Sequence, residues 1–155
     1  MTGVRAKGFT LVELLAVLVI LALVMAIMPR FFSGQGRREL AIAAHDLAST
    51  LRETRGLALR SGHSEAVLIN LRTGAYRSTA SDSLRQVPST MHLSLVTTAE
   101  DRVDAATGSI RFFADGSSSG GSISLTQGAR RSEVVVDWLT GRISLHESAA
   151  AASGS

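Results

Sequence analysis

Lys7-Gly8-Phe9-Thr10-Leu11-Val12-Glu13, followed by fifteen unbroken apolar residues from Leu14 to Met28, decides how the rest of this chain is arranged. The 20 residues from Phe9 to Met28 would span ~30 Å as a helix at ~1.5 Å per residue, the thickness of a bilayer's hydrocarbon core. Length and hydropathy therefore predict a transmembrane helix over 9–28, with Arg5 and Lys7 as its cytoplasmic flank. Glu13 is the one charge inside it. Charged groups near the centre of a membrane helix cost roughly 2.5–3.5 kcal/mol on insertion scales, so a carboxylate here calls for a reason. A cut between Gly8 and Phe9 would supply one, because the new α-amino group and Glu13 would share the first helical turn. The helix dipole favours an acid there, and a neighbouring subunit's amine could pair with it.

Lys7-Gly8 followed by Phe9-Thr10-Leu11-Val12-Glu13-Leu14-Leu15 resembles the processing site of type IV pilins and of the pseudopilins of type II secretion. The resemblance implies cleavage after Gly8 by a prepilin peptidase, N-methylation of Phe9 and use of Glu13 in docking subunits into a filament. Three plainer readings compete. An ordinary signal peptide would end at Val24-Met25-Ala26, but Glu13 would then interrupt its apolar core. A simple anchor leaves the Gly8-Phe9 junction and Glu13 as accidents. A buried soluble helix would have to be apolar all round in a small protein.

Of 155 residues, 127 remain after the first 28 (155 − 28), enough for one domain with its own core. Cysteine is absent, which removes disulfides and thiolate metal sites. The sequence pI near 10.5 suggests a nucleic-acid binder, but the net charge is only +3. With a single Lys and a single Tyr, almost nothing titrates between neutrality and the arginine range, so a small excess raises the pI steeply. Loss of Arg5 and Lys7 with a leader would leave 14 basic residues (16 − 2) against 13 acidic ones. No clustered basic face with stacking aromatics is visible, and nucleic acid is not an expected partner.

The expected organisation is a leader over 1–8, the transmembrane helix over 9–28, a kink and amphipathic helix over 29–61, a periplasmic β domain over 62–146 and a disordered tail over 147–155. Pro29, and then Gly34 and Gly36, predict a bend or local melting between Met28 and Arg37. Leu40, Ala44, Leu47, Leu51, Thr54 and Ala58 step by four and three and define one packing face. Arg38, Glu39, Asp46, Glu53 and Arg60 form the solvated side, and Gly62 is the C-terminal cap. Beyond Gly62 the period becomes 2. Val67, Ile69 and Leu71, the turn at Thr73-Gly74 and Ala75 to Arg77 read as a hairpin. Ser78 to Ser89 reads as loop. Met91 to Thr97, Ser109 to Phe113, Ser122 to Thr126, Glu133 to Val136 and Arg142 to Leu145 read as further short strands. The fold class is α+β, a long N-terminal helix packed on an antiparallel β-sandwich-like domain of about seven strands.

Ile110-Arg111-Phe112-Phe113-Ala114-Asp115-Gly116-Ser117-Ser118-Ser119-Gly120-Gly121, then the strand at Ile123 and Val136-Asp137-Trp138-Leu139-Thr140-Gly141-Arg142-Ile143, is similar to the H-type minor pseudopilins. That resemblance implies a pilin-like fold and a structural, non-enzymatic subunit of the type II secretion pseudopilus, which helps export folded proteins across the outer membrane. Its implied partners are other major and minor pseudopilins, the prepilin peptidase/N-methyltransferase, the inner-membrane assembly platform and the lipid bilayer. Its implied place is the inner membrane, crossed once, with the N-terminus cytoplasmic and the domain periplasmic. Alternatives are a type IV minor pilin acting in pilus assembly or DNA uptake, and a membrane-anchored periplasmic hydrolase.

Phe112 and Phe113 should point to opposite faces of a strand, and the run Asp115, Gly116, Ser117, Ser118, Ser119, Gly120, Gly121 reads as a mobile loop able to contact a neighbouring subunit. Gly116 to Gly120 also fits the pattern of a hydrolase nucleophile elbow around Ser118, but a strand follows where a helix is required. His45, His63, His92 and His146 lack ligand spacing. Glu100, Asp101 and Asp104 could form a loose calcium site of the kind major pseudopilins have, but a solvated acidic loop is the stronger reading. Trp138 reads as a core or domain-edge aromatic. No cofactor and no metal are expected.

Overall fold

The computed structural model describes residues 11–149 other than 82; the side chains of residues 25–35 and 149 lie outside the description. The leader over 1–8, Phe9 and residues 150–155 of the expected tail are likewise outside it. Helix α1 runs Leu11–Ser61, and the chain divides into two units, Met1–Gly36 and Arg37–Ser155.

In the first unit the described apolar side chains over 11–24 are exposed, from Leu11 at 82% to Val17 at 47%. Among the described residues no helix is long and apolar enough to cross a membrane. The last residues of the expected span are among 25–35, whose side chains are not described. The expected kink falls on the same stretch. Local melting is not found there, because the backbone is helical through Pro29, Gly34 and Gly36. Two glycines cost ~1 kcal/mol each, and within a long helix each residue added keeps the gain of propagation without a new nucleus.

In the second unit the face predicted by the four-and-three stepping is the face that packs. Leu40, Ala44, Leu47, Leu51, Thr54 and Ala58 are all buried, and Arg38, Glu39, Asp46, Glu53 and Arg60 are all exposed. Burying a side chain such as Leu47 or Leu51 contributes ~1.5–3 kcal/mol. Gly62, at φ 68°, ends the helix and donates its N–H to the Ala58 carbonyl at 3.1 Å, satisfying an otherwise orphaned acceptor.

Among the described residues eight strands follow: β1 (Glu65–Asn70), β2 (Ala75–Ser78), β3 (Leu84–Gln86), β4 (His92–Val96), β5 (Thr107–Phe112), β6 (Gly121–Gln127), β7 (Arg130–Val136) and β8 (Ile143–Ala149). They form two four-stranded sheets, in the orders β3-β2-β1-β5 and β4-β6-β7-β8, and every pairing is antiparallel. The β1–β2 hairpin turns at Thr73-Gly74, as its turn chemistry predicted. Its partner on the other side, β5, pairs Glu65 with Phe112 and Asn70 with Thr107. Inward residues Val67, Ile69, Ile110, Phe112, Ile123, Leu125, Val134 and Val136 meet the apolar face of α1 in one core. The Thr54 hydroxyl lies within that core and bonds the Ser78 hydroxyl at 2.8 Å.

Two expectations are corrected. The segment Ser78 to Ser89 contains β3, whose three residues are all exposed and so show no alternation between core and solvent. The tail is not disordered from Glu147, because β8 continues to Ala149 and pairs Glu147, Ser148 and Ala149 with Ser132, Arg131 and Arg130. Ladder pairing uses the main chain and needs no apolar side chain.

Candidate assembly surface

Two regions carry the residues singled out from sequence. At the N-terminal end, Gly8 and Phe9 lie outside the described residues. Glu13 sits in the first turn of α1, exposed among Leu11, Val12 and Leu14.

The second region is the end of the domain where the Gly/Ser loop meets the turn between β7 and β8. The loop is not the mobile connector its composition suggested. Asp115 accepts from the Ser117 hydroxyl at 2.6 Å and the Ser117 N–H at 2.9 Å, and these bonds hold its carboxyl below the ordinary value. Ser118 donates its N–H to the Trp138 carbonyl at 2.8 Å and its hydroxyl to the Asp137 carbonyl at 2.9 Å, while Gly120 donates to the Ser118 hydroxyl. Ser119 and Arg111 bond each other through N–H donors in both directions. Gly116, Ser118 and Gly120 are consequently buried. Ser118 thus has a structural task, and strand β6 follows where a nucleophile elbow would need a helix.

The facing turn is built the same way. Asp137 accepts from the Thr140 hydroxyl at 2.7 Å and the Thr140 N–H at 2.8 Å, which hold its carboxyl below the ordinary value. Arg55 of α1 joins both loops. Its Nε donates to the Gly116 carbonyl at 3.2 Å and its Nη2 to the Thr140 carbonyl at 2.9 Å. Arg52, Arg55 and Arg142 line an open hollow of about 590 Å³ with Asp137, Thr140, Gly141 and Ile143. Trp138 and Leu139, at the tip of the turn, are 66% and 63% exposed. Of the two places expected for Trp138, core or domain edge, it occupies the domain edge. Phe112 is fully buried and Phe113 is 37% exposed, as their alternation required.

The acidic loop is corrected at one position, since Glu100 and Asp104 are exposed as expected. Asp101 is buried, not solvated, and its carboxylate accepts from Ser109 Oγ at 3.1 Å, Arg111 Nη2 at 3.2 Å and Thr98 Oγ1 at 3.3 Å. Asp104 caps its own turn by accepting from the N–H groups of Ala106 and Thr107. Among the described residues no group of three or more acidic or histidine side chains could hold a metal ion. All four histidines are exposed.

A helix packed by its second half on two antiparallel sheets is a pilin-like fold, and solved structures of that class share it. The minor pseudopilin EpsH of Vibrio cholerae matches with a TM-score of 0.55 at 13% identity, over 76% of this chain and 98% of that one. The type IV minor pilin FimU of Pseudomonas aeruginosa matches with a TM-score of 0.54 at 16% identity, over 72% and 90%. Within that class the chain belongs to the Type II transport protein GspH family, whose pattern covers residues 43–141. Residues 4–29 match the prokaryotic N-terminal methylation motif. The chain is also 30% identical, over 141 residues, to the type II secretion system protein H of Xanthomonas campestris pv. campestris, covering 90% of this chain and 82% of that one.

Proposed function

We propose that this chain is a minor pseudopilin, a non-enzymatic structural subunit of the type II secretion pseudopilus that helps move folded proteins across the outer membrane. It is made as a precursor and inserted once into the inner membrane, with its N-terminus in the cytoplasm and its domain in the periplasm. A prepilin peptidase/N-methyltransferase cuts between Gly8 and Phe9 and methylates Phe9. The inner-membrane assembly platform then receives it among other major and minor pseudopilins. In this mechanism the apolar helix supplies bundling area, Glu13 offsets a neighbouring amine in a low-dielectric bundle, and the β domain selects neighbours.

The observation that carries this reading is the pair of matches, methylation motif over 4–29 and GspH over 43–141, on one chain. The test is intact mass and N-terminal sequencing of the membrane-extracted protein made beside a prepilin peptidase. A chain starting at Phe9 and heavier by one methyl group is expected; a start at Ile27 or an uncut chain would sink the proposal. The FimU likeness favours a second reading, a type IV minor pilin. Deleting the gene separates the two: loss of secretion with intact pili fits the first, and the reverse fits the second.

A further inference from the structure

We propose that the end of the domain formed by the Trp138-Leu139 turn and the arginine-lined hollow docks the acidic helix flank of an adjacent pilin-like subunit. This rests on the pseudopilin reading and names the surface and the chemistry of the contact.

Trp138 and Leu139 leave about two thirds of their area in water although the turn that carries them is tied at both ends. Asp137 Oδ1 holds Thr140 from inside the turn, and Arg55 and Ser118 hold its main chain from α1 and from the Gly/Ser loop. A large apolar pair presented on a braced turn has the character of a protein contact, since exposed aromatics beside arginines dominate binding energy when covered. Phe113 and Leu59, at 37% and 45% exposed, widen the apolar ground at this end, with Leu59 Cδ2 lying 3.3 Å from where a Cβ on Gly116 would sit.

The hollow fixes the sign of the partner. Arg52, Arg55 and Arg142 face it against one carboxylate, Asp137, which accepts from Thr140 and also feels the Arg142 charge, so three guanidinium groups share a single negative charge. Arg52 and Arg142 enter no ion pair within the described residues. An opening with surplus positive charge beside an apolar tip fits a surface that alternates carboxylates with apolar side chains. The stalk of this chain shows that a pilin-like helix can present one: Glu39, Asp46 and Glu53 recur every seven residues on one exposed side of α1, with Ile42, 61% exposed, among them. Seven residues are close to two helical turns, so the three carboxylates stay in line.

The test uses the full chain in cells carrying the complete secretion system, with the photo-reactive residue benzoylphenylalanine in place of Leu139. The expected product joins position 139 to a peptide that mass spectrometry places in the acidic stalk helix of a pilin-like subunit. Arg52→Glu with Arg142→Glu should lower its yield at least about fivefold through charge repulsion, whereas Arg72→Glu, on the β1–β2 turn and not lining the hollow, should leave it unchanged. A product with a secreted protein, a product with a subunit's β domain, or no product overturns the proposal. The N-terminal mass of the same sample separates the two ideas. A chain starting at methylated Phe9 without the stalk cross-link refutes only this contact, and an uncut chain refutes the pseudopilin reading itself.

Discussion

Arg55 holds α1, the Gly/Ser loop and the Asp137 turn together, and nothing in its sequence neighbourhood announces it. Its partners are main-chain carbonyls 61 and 85 residues away, and a carbonyl acceptor leaves no residue signature. Replacing it by Ala should cost about 1–3 kcal/mol in thermal or urea unfolding, and Arg55→Lys should recover only part of that, because Lys lacks the planar fork. Gly141, at φ 60°, lies where an added Cβ would meet the Gly116 carbonyl and come within 2.7 Å of Arg55 Nε. Gly141→Ala should therefore loosen the same joint, seen as lost protection of the Ser118 amide in hydrogen exchange. By contrast, the turns at Asp104, Asp115 and Asp137 are local and were open to reading, since an Asp ahead of Ser or Thr caps its own turn. Their carboxyls are held below the ordinary 3.8 by the Ala106 N–H, the Ser117 hydroxyl and the Thr140 hydroxyl respectively. The folded state thus binds fewer protons than the unfolded one, so their contribution is complete above the unfolded value and is lost as pH falls through the folded one. Melting temperatures should show no loss from these three groups between pH ~7 and ~5, with their share declining only below pH ~4.

Element by element, the stripe on α1 was the most legible part of the domain, because six positions at helical spacing had to bury together. Leu51→Ala, at a fully buried position, should cost about 2–5 kcal/mol, while Ile42→Ala, at a position 61% exposed, should stay within about 0.5 kcal/mol. Denaturant midpoints of the two variants check the contrast. The strands with one face in the core were read within a few residues for the same reason. Strand β3 and the end of β8 were not, since the side chains of β3 and of Glu147 and Ser148 lie in solvent and only main-chain pairing defines them. The Gly/Ser loop misled in the opposite direction. Small residues read as freedom in a sequence, yet here they admit close approach, with Gly120 packed against Trp138.

For the whole molecule, the N-terminal motif and the strand-turn segments after Ile110 were enough to place the chain in its family, but the docking surface depended on bringing residue 52 beside residue 142, which spacing does not disclose. Glu13→Ala should leave the protein inserted in the membrane and poorly assembled, measured as loss of subunit cross-links and of secretion; normal assembly would remove the electrostatic role. The pairing of β1 with β5 also bears on the chain's birth. Asn70 and Phe112 bound a stretch of 42 residues (112 − 70), and at ~5–20 residues per second synthesis of that stretch takes roughly 2–8 s. During that delay, and until Ile123, Leu125, Val134 and Val136 join the same core, the oily stripe from Leu40 to Ala58 is incompletely covered, so a newborn subunit is most vulnerable to proteases and mispairing before its seventh strand arrives.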